Sequence, residues 1–326
     1  MTGRVTENGT GAVRVAAIDC GTNSLRLLIA DVDPRSGQLA EVDRRMEIVR
    51  LGQGVDATGR LAPEALARTL AALSGYARLL AARDVRAVRM VATSATRDAA
   101  NAADFVREVT AVLGTPPEVL SGAEEAALSF TGATAELPAA GPYLVVDIGG
   151  GSTEFVLGRQ DLSGGSQAIS VDIGCVRLTE RHLHADPPTA AQIAAAGADI
   201  ETALDRVAAI LHPGRAATLV GLAGSVTTLA GLALGLPRYD SARIHHSRLT
   251  AAEVAGLTAS LLGQTRAQRA ALPVMHPGRV DVIGGGALVL DHVMRRFAFG
   301  EVLVSEHDIL DGIAWSLAGL TAGKPS

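Results

Sequence analysis

Two stretches decide how this chain folds: Asp19-Cys20-Gly21-Thr22-Asn23-Ser24 and Asp147-Ile148-Gly149-Gly150-Gly151-Ser152-Thr153-Glu154. Asp19, Gly21 and Ser24 recur at the same spacing as Asp147, Gly149 and Ser152. An apolar run enters each stretch (Val13 to Ile18, Tyr143 to Val146) and another leaves it (Leu25 to Ala30, Phe155 to Gly158). Each therefore reads as a tight polar tip between two strands. Together they read as an internal repeat. Two such tips, one in each of two domains, would face each other across a cleft.

A glycine-rich tip lets backbone N–H groups converge on one point, which suits phosphate oxygens. Gly149, Gly150 and Gly151 permit close backbone approach, and Ser24 and Ser152 add hydroxyls. Asp19 and Asp147 sit at strand ends, facing the same point. A carboxylate repels phosphate unless a cation bridges them. Mg2+ takes that role with one or two carboxylates, water and phosphate oxygens, so Asp19 and Asp147 are candidate ligands and Glu154 a further one. The chain has no Gly-Lys-Ser/Thr phosphate loop and no dinucleotide-binding glycine pattern.

Outward from the tips, Glu41 to Leu51 and Val85 to Ala92 read as strands. The spacing of Leu66, Leu70, Leu73, Leu79 and Leu80 predicts a helix over Pro63 to Ala82. Asn101 is placed as the cap of a helix running through Val112, and Ser121-Gly122 leads into a helix beginning near Ala123. A further helix is expected over Pro187 to Ile210. Pro138, Gly141 and Pro142 mark the junction between domains, giving domains over 12–132 and 141–306 after a disordered lead-in at 1–11. Leu219 to Ser225 reads as a strand and a Gly-Ser turn into a helix, placing Ser225 where helix amides favour anions. Gly284-Gly285-Gly286 reads as a turn before a helix over Ala287 to Met294.

With 326 residues, the chain has room for about two domains. Its residues are 48% hydrophobic but only 3% aromatic, so the cores must be packed with Ala, Val, Leu and Ile. That composition suits α/β layers. A net charge of −5 argues against general nucleic-acid binding. It also requires any phosphate site to be locally basic. Lys324 is the one lysine, so arginine must supply that charge. Arg44, Arg45, Arg50, Arg266 and Arg269 are candidates for a basic lane. Cys20 and Cys175 have no paired spacing, so neither a disulfide framework nor a zinc site is expected. The histidines, including His182/His184 and His245/His246, show no metal spacing and are expected at the surface. Ala216 to Leu236 is uncharged and long enough to span a bilayer, but its glycines, Ser225, Thr227 and Thr228 favour a buried strand, turn and helix. No membrane association is expected, and the polar start does not resemble a signal peptide, which leaves a cytoplasmic location.

The two Asp-Gly-Ser segments resemble the phosphate motifs of the exopolyphosphatase and guanosine pentaphosphate phosphatase family. Ser121-Gly122-Ala123-Glu124-Glu125-Ala126 is similar to that family's catalytic segment, and Thr93 to Arg97 to its Thr/Ser-rich segment ending in a phosphate-binding arginine. Gly174 to Glu180, Ala223-Gly224-Ser225, Arg279 to Ile283 and Val304-Ser305-Glu306 are also similar. The resemblance runs from about Arg14 to Trp315 and fits the short form, which lacks a C-terminal helical domain. It implies an α/β fold of two ribonuclease H-like domains of the actin-like ATPase superfold around a central cleft. The last helix, near 307–320, is then expected on the first domain. Glu125 would be the catalytic base that activates water. Asp147 and Glu154, with Asp19, would hold Mg2+ or another divalent cation. Asn23, Ser24, Arg97, Gly149, Gly150, Gly151, Ser152 and Ser225 would bind phosphate. The implied activity is release of terminal orthophosphate from inorganic polyphosphate. A homodimer is common among relatives.

Two rivals share the frame. A guanosine pentaphosphate 5′-phosphohydrolase uses the same chemistry on a phosphorylated guanine nucleotide, and no residue here separates the two. A non-enzymatic actin-like sensor of nucleotide or polyphosphate would not need a water-activating base. An ATP-binding kinase of the same superfold would need a sugar-binding insert, which the chain lacks.

Overall fold

The computed structural model describes residues 12–137, 141–159 and 166–319. The lead-in at 1–11 and Pro138 of the junction lie outside these residues. The first sheet contains β1 (Val13–Cys20), β2 (Ser24–Val32), β3 (Leu39–Ile48), β4 (Ala87–Ala92) and β5 (Glu118–Val119) in the order β3-β2-β1-β4-β5. The second contains β6 (Tyr143–Ile148), β7 (Thr153–Gly158), β8 (Gln167–Val171), β9 (Thr218–Leu222), β10 (Arg248–Thr250) and β11 (Glu301–Val304) in the order β10-β11-β9-β6-β7-β8. In both, an antiparallel meander runs on into parallel strands: β1–β2–β3 then β4–β5, and β6–β7–β8 then β9–β11. The repeat read from the two tips is thus a repeat of whole ribonuclease H-like sheets, with β10 added at one edge. The fold is α/β, of the actin-like ATPase type.

Strand residues alternate between faces, and each sheet is buried on both. In the first sheet Ala16, Ile18, Leu25, Leu27 and Ile29 pack under helices Pro63–Ala82 and Ala102–Leu113. Val15, Ala17, Leu28 and Ala30 pack on the opposite face against Ile309, Ile313 and Trp315 of helix Ile309–Leu317. In the second sheet Leu144, Val146 and Phe155 face helices Ala190–Leu211, Ala223–Ala233, Ala251–Gly263 and Ile283–Arg296. Tyr143, Val145 and Val156 face helix Gly122–Thr134 through Ala126, Phe130 and Ala133.

Chain order and packing are crossed here. Helix Gly122–Thr134 follows the first sheet but covers the second, while helix Ile309–Leu317 follows the second sheet but covers the first. The two helices meet at glycines. A Cβ on Gly132 would lie 1.8 Å from the Asp308 carbonyl oxygen, and one on Gly312 would lie 2.1 Å from the Leu128 carbonyl oxygen. Trp315 Nε1 ties the second helix to the Gly37 carbonyl at 2.9 Å.

Several sequence expectations need correction. Asn101 begins helix Ala102–Leu113 without a side-chain cap. Its amide instead accepts from the Leu61 N–H (2.9 Å) and donates to the Leu61 carbonyl (3.1 Å), tying down a distant loop. Gly284, Gly285 and Gly286 form no turn. They lie inside helix Ile283–Arg296, where bare backbone lets it close on Cys175 and Ser225. His245 and His246 are half-buried and stacked, with ring centroids 3.7 Å apart. Arg269 is buried and donates to the carbonyls of Val280, Leu261 and Gln264, so it belongs to no substrate lane. Among the described residues no helix is long and apolar enough to cross a membrane.

Candidate active site

The two hairpin tips are built alike. The Gly21 amide donates to the Ser24 carbonyl and the Gly149 amide to the Ser152 carbonyl, both at 3.0 Å. The tips touch each other: a Cβ on Gly150 would lie 2.8 Å from Thr22 Cβ, and one on Gly151 2.7 Å from Ser94 Oγ. Behind the second tip stands the first turn of helix Cys175–His182. Gly149 O accepts from the Cys175 amide (2.9 Å), and Gly150 O from the amides of Val176 (2.9 Å) and Arg177 (3.1 Å). Gly151 O accepts from Arg177 Nε at 2.6 Å. These bonds satisfy helix amides that otherwise lack partners. A trans peptide points its N–H opposite its C=O. The amides of Gly150, Gly151 and Ser152 therefore aim away from that helix, toward the first tip and the cleft.

A pocket between the tips is lined by Asp19, Asn23, Ser24, Glu125, Asp147, Gly149, Gly150, Ser152 and Ser225, all expected at the site. Three expected residues lie outside its lining. Gly151 packs on Thr22 and Ser94, Glu154 is buried behind Asp147, and Arg97 holds Glu125 from the side (Nη1 to Oε2, 3.2 Å) and donates to the Leu120 carbonyl (2.8 Å). Glu124 keeps a structural part, forming a capping box with Ser121.

The β-hairpin register explains where the charges sit. Asp19 pairs across β1–β2 with Arg26, and Asp147 pairs across β6–β7 with Glu154. Arg26 and Glu154 occupy equivalent places in the repeat and carry opposite charge. Arg26 donates to Asp19 Oδ2 from Nε (3.0 Å) and Nη2 (2.7 Å), and from Nη1 to Asp308, the cap of helix Ile309–Leu317. The second copy has hydroxyls instead: Ser129 donates to Asp147 Oδ2 and Ser170 to Glu154 Oε1, both at 2.7 Å. Burial, then the neighbouring Asp308, pushes the Asp147 carboxyl up to about 6. Burial, then Asp147, pushes Glu154 up to about 7. Glu125 is raised well above the usual carboxylate range by burial and by Glu154, with Arg97 opposing. Burial also raises Asp19, partly offset by Arg26. Asp308 ends low although burial works against it, because Arg26 and Arg44 outweigh that cost.

These residues fit a divalent cation. Asp147 and Glu154 lie side by side, bonded to serine hydroxyls and, among the described residues, to no basic side chain, and Asp19 Oδ1 is buried without a hydrogen-bond partner there. Among the described residues, no three His, Cys, Asp or Glu side chains converge as a complete ligand set. A divalent cation held here would have to complete its shell with water and phosphate oxygens.

Sequence reasoning passed over Arg26 and Asp308 and gave Arg279 no role of its own. Arg279 lines the pocket beneath Gly224, where a Cβ would fall 0.9 Å from its Nη1. Its Nη2 donates to Met46 Sδ at 3.3 Å, and among the described residues it makes no salt bridge. Burial lowers its pKa from the ordinary guanidinium value. Ala223, at the start of helix Ala223–Ala233, holds φ at 65°, a strained conformation at the pocket wall. A readable signal existed for Arg26, the one charge in the apolar run Leu25 to Ala30, seven residues after Asp19 as Glu154 is after Asp147. Asp308 and Arg279 reach the site from distant segments, and no local pattern marks them.

From the pocket a wider cleft of about 650 Å3 opens past Arg26 and Arg279 to Arg44, Arg45, Met46, Tyr239, Met275 and His276. Of the arginines expected to form a basic lane, only Arg44 and Arg45 line it. Arg44 is paired with Asp311 and Glu41, and Arg45 with Asp43. Arg50 and Arg266 share Asp281.

Comparison with known proteins agrees with this arrangement. The family model described as the Ppx/GppA phosphatase family matches residues 28–320. Exopolyphosphatase 2 of Mycobacterium tuberculosis is 54% identical over 318 residues, covering 94% of this chain and 99% of that protein. A solved exopolyphosphatase-like protein superposes with a TM-score of 0.90 at 43% identity, covering 94% of this chain and 99% of its own. The Aquifex aeolicus member of the family gives 0.79 at 30%, covering 96% and 100%. With the match running nearly end to end, the chain belongs to the Ppx/GppA phosphatase family.

Proposed function

We propose that this protein is an exopolyphosphatase that releases terminal orthophosphate from inorganic polyphosphate, and that Glu125 is its catalytic base. The observation that carries the mechanism is the setting of Glu125. It is buried, it faces the pocket between the tips, and Arg97 holds it. The likeness to the mycobacterial Exopolyphosphatase 2 supports the substrate.

Phosphoryl transfer asks a protein mainly for positioning and charge stabilisation. The amides of Gly150 and Ser152, with the hydroxyls of Ser24 and Ser152, would take the terminal phosphate, and Asn23 and Ser225 would flank it. Arg279, a half-buried cation that makes no salt bridge among the described residues, would take the charge of the adjoining phosphate. Glu125 would accept the proton of a water whose oxygen attacks the terminal phosphorus. The bond from that phosphorus to the bridging oxygen breaks, and the shortened chain leaves with the electron pair. A carboxylate whose pKa is raised by burial is a stronger base near neutral pH. Asp147 and Glu154 would hold Mg2+ or another divalent cation, with Asp19 beside them. When bound, the cation supplies neutralisation of phosphate oxygens.

A second reading, guanosine pentaphosphate hydrolysis, is favoured by one feature. The adjoining cleft has apolar walls at Met46, Val274, Met275 and Pro277 beside Tyr239, which would suit a purine ring better than a bare phosphate chain. Phosphate release from short polyphosphate, long polyphosphate, guanosine pentaphosphate and ATP in Mg2+ separates the readings. Polyphosphate is expected to give the highest kcat/KM. Preference for guanosine pentaphosphate would install the second reading, and inactivity on all four would leave a sensor. Glu125→Gln is expected to lower kcat by at least ~100-fold, and a fully active variant would remove the mechanism. A cytoplasmic location and a homodimer belong to the same proposal, tested by fractionation and by sedimentation.

A further inference from the structure

Helix Gly122–Thr134 reaches two carboxylates of the second half of the site directly and the third through a partner. It carries Glu125 itself. One turn later, on the same face, Ser129 donates its hydroxyl to Asp147 Oδ2 at 2.7 Å, and Ser129 is 1% exposed. At the start of the helix, a Cβ on Gly122 would lie 2.4 Å from Ser170 Cβ, and the Ser170 hydroxyl holds Glu154. At its far end Gly132 is pressed on the Asp308 carbonyl, so the helix can neither turn nor slide freely.

The other hydroxyls on this helix behave differently. Thr131 and Thr134 donate back to the carbonyls of Ala127 and Phe130, four residues earlier, at 2.9 and 2.8 Å. That is the usual bond of a helical hydroxyl. Ser129 instead directs its bond off the helix, onto a strand-end carboxylate.

We propose that Ser129 is a positioning residue: its hydroxyl fixes the Asp147 carboxylate for a divalent cation and locks that carboxylate in register with Glu125 on the same helix. The inference rests on the reading of Asp147 as a metal ligand. The bond commits one carboxylate oxygen to the helix and sets the rotation of the group about its last bond, leaving the other oxygen as the cation's. Partners of metal ligands typically control metal affinity by 10–100-fold. Because the hydroxyl and the base share one helical turn, any shift of the helix moves both together.

The test uses the whole chain and Mn2+ alone as probe, followed by calorimetric titration. Ser129→Ala is expected to weaken Mn2+ binding at least ~10-fold. Thr131→Val, which removes a hydroxyl from the exposed side of the same helix, is expected to leave binding within about twofold of the unaltered protein, since that hydroxyl touches no carboxylate. In turnover assays Ser129→Ala should raise the metal concentration for half-maximal rate while KM for substrate at saturating metal changes little. Unchanged Mn2+ affinity in Ser129→Ala overturns the inference. An equal loss in Thr131→Val overturns it too, by showing a general effect of the helix. Failure of the unaltered chain to bind Mn2+ would sink the metal reading along with it. Binding without phosphate release would sink only the proposed activity.

Discussion

Asp147 and Glu154 lie side by side in a buried hairpin with hydroxyls, rather than a cation, as hydrogen-bond partners. Their folded pKa values of about 6 and about 7 stand above the ordinary 3.8 and 4.5. A raised pKa means that the folded chain holds protons the unfolded chain has released. The stability from these groups is therefore complete below about pH 4 and is lost as pH rises through about 7. Metal-free protein is expected to lose a few kcal/mol from this pair between pH 4 and 8. Mg2+ at pH 8 should restore it and should have little effect near pH 5. Thermal unfolding with and without Mg2+ across that range checks the sign, and a larger Mg2+ effect at pH 5 would refute it. Much of this residue pattern was legible. An Asp at a strand end and a charge seven residues on face each other when the hairpin loop has the length these two tips share, so Arg26 and Glu154 could be placed once that length was read. Ser129 and Arg279 could not, because their roles depend on which distant backbone they meet.

The crossed helices show how an element can matter more than its own stability. By intrinsic propensity, alanine favours a helix over glycine by about 1 kcal/mol. At position 312 the opposite is expected, since the new methyl would lie 2.1 Å from the Leu128 carbonyl oxygen. Backbone cannot yield as a side-chain tip can. Gly312→Ala should destabilise the protein by ~1–3 kcal/mol, measured by denaturant titration. It should also lower kcat, because Leu128 and Glu125 share a helix and Asp308, at the base of the other, holds Arg26. A stabilised variant would show that the helices separate freely. The helices themselves were readable where periodicity was strong. The one starting at Pro63 runs to Ala82 as expected, burying Ala65, Thr69, Ala72, Leu73, Tyr76 and Leu80 along one stripe. The glycine run at 284–286 misled because three glycines lower helix propensity, whereas close approach to Cys175 and Ser225 demands them inside the helix. That the last helix covers the first sheet was expected from the resemblance alone; that helix Gly122–Thr134 covers the second was not legible, since it is fixed by packing between segments far apart in the chain.

At the scale of the molecule, the two sheets are joined by the crossed helices on one side of the site and by charges on another. Arg177, on the helix behind the second tip, reaches Asp56 Oδ1 (2.5 Å) and Asp98 beyond the first tip. Arg181 binds the same Asp56 through Nε at 2.6 Å, and Glu180 accepts the Gly54 amide. Arg177 also donates to the Gly151 carbonyl, so this contact sets both the separation of the halves and the pose of the phosphate tip. The crossed helices would keep the halves together if the charges were lost, so opening should exceed unfolding. Asp56→Ala is therefore expected to cost only ~1–2 kcal/mol, a few degrees in Tm, because the group is partly exposed. The same change should lower kcat/KM by about tenfold, a loss of ~1.4 kcal/mol in the transition state. Added salt should reduce activity of the unaltered protein toward that of the variant, as screening weakens the same contact, and should affect the variant less. Assay of both proteins from low to high ionic strength decides the point. Parallel salt curves would mean that the charge contact does not govern closure, and that the crossed helices alone hold the cleft in its working form.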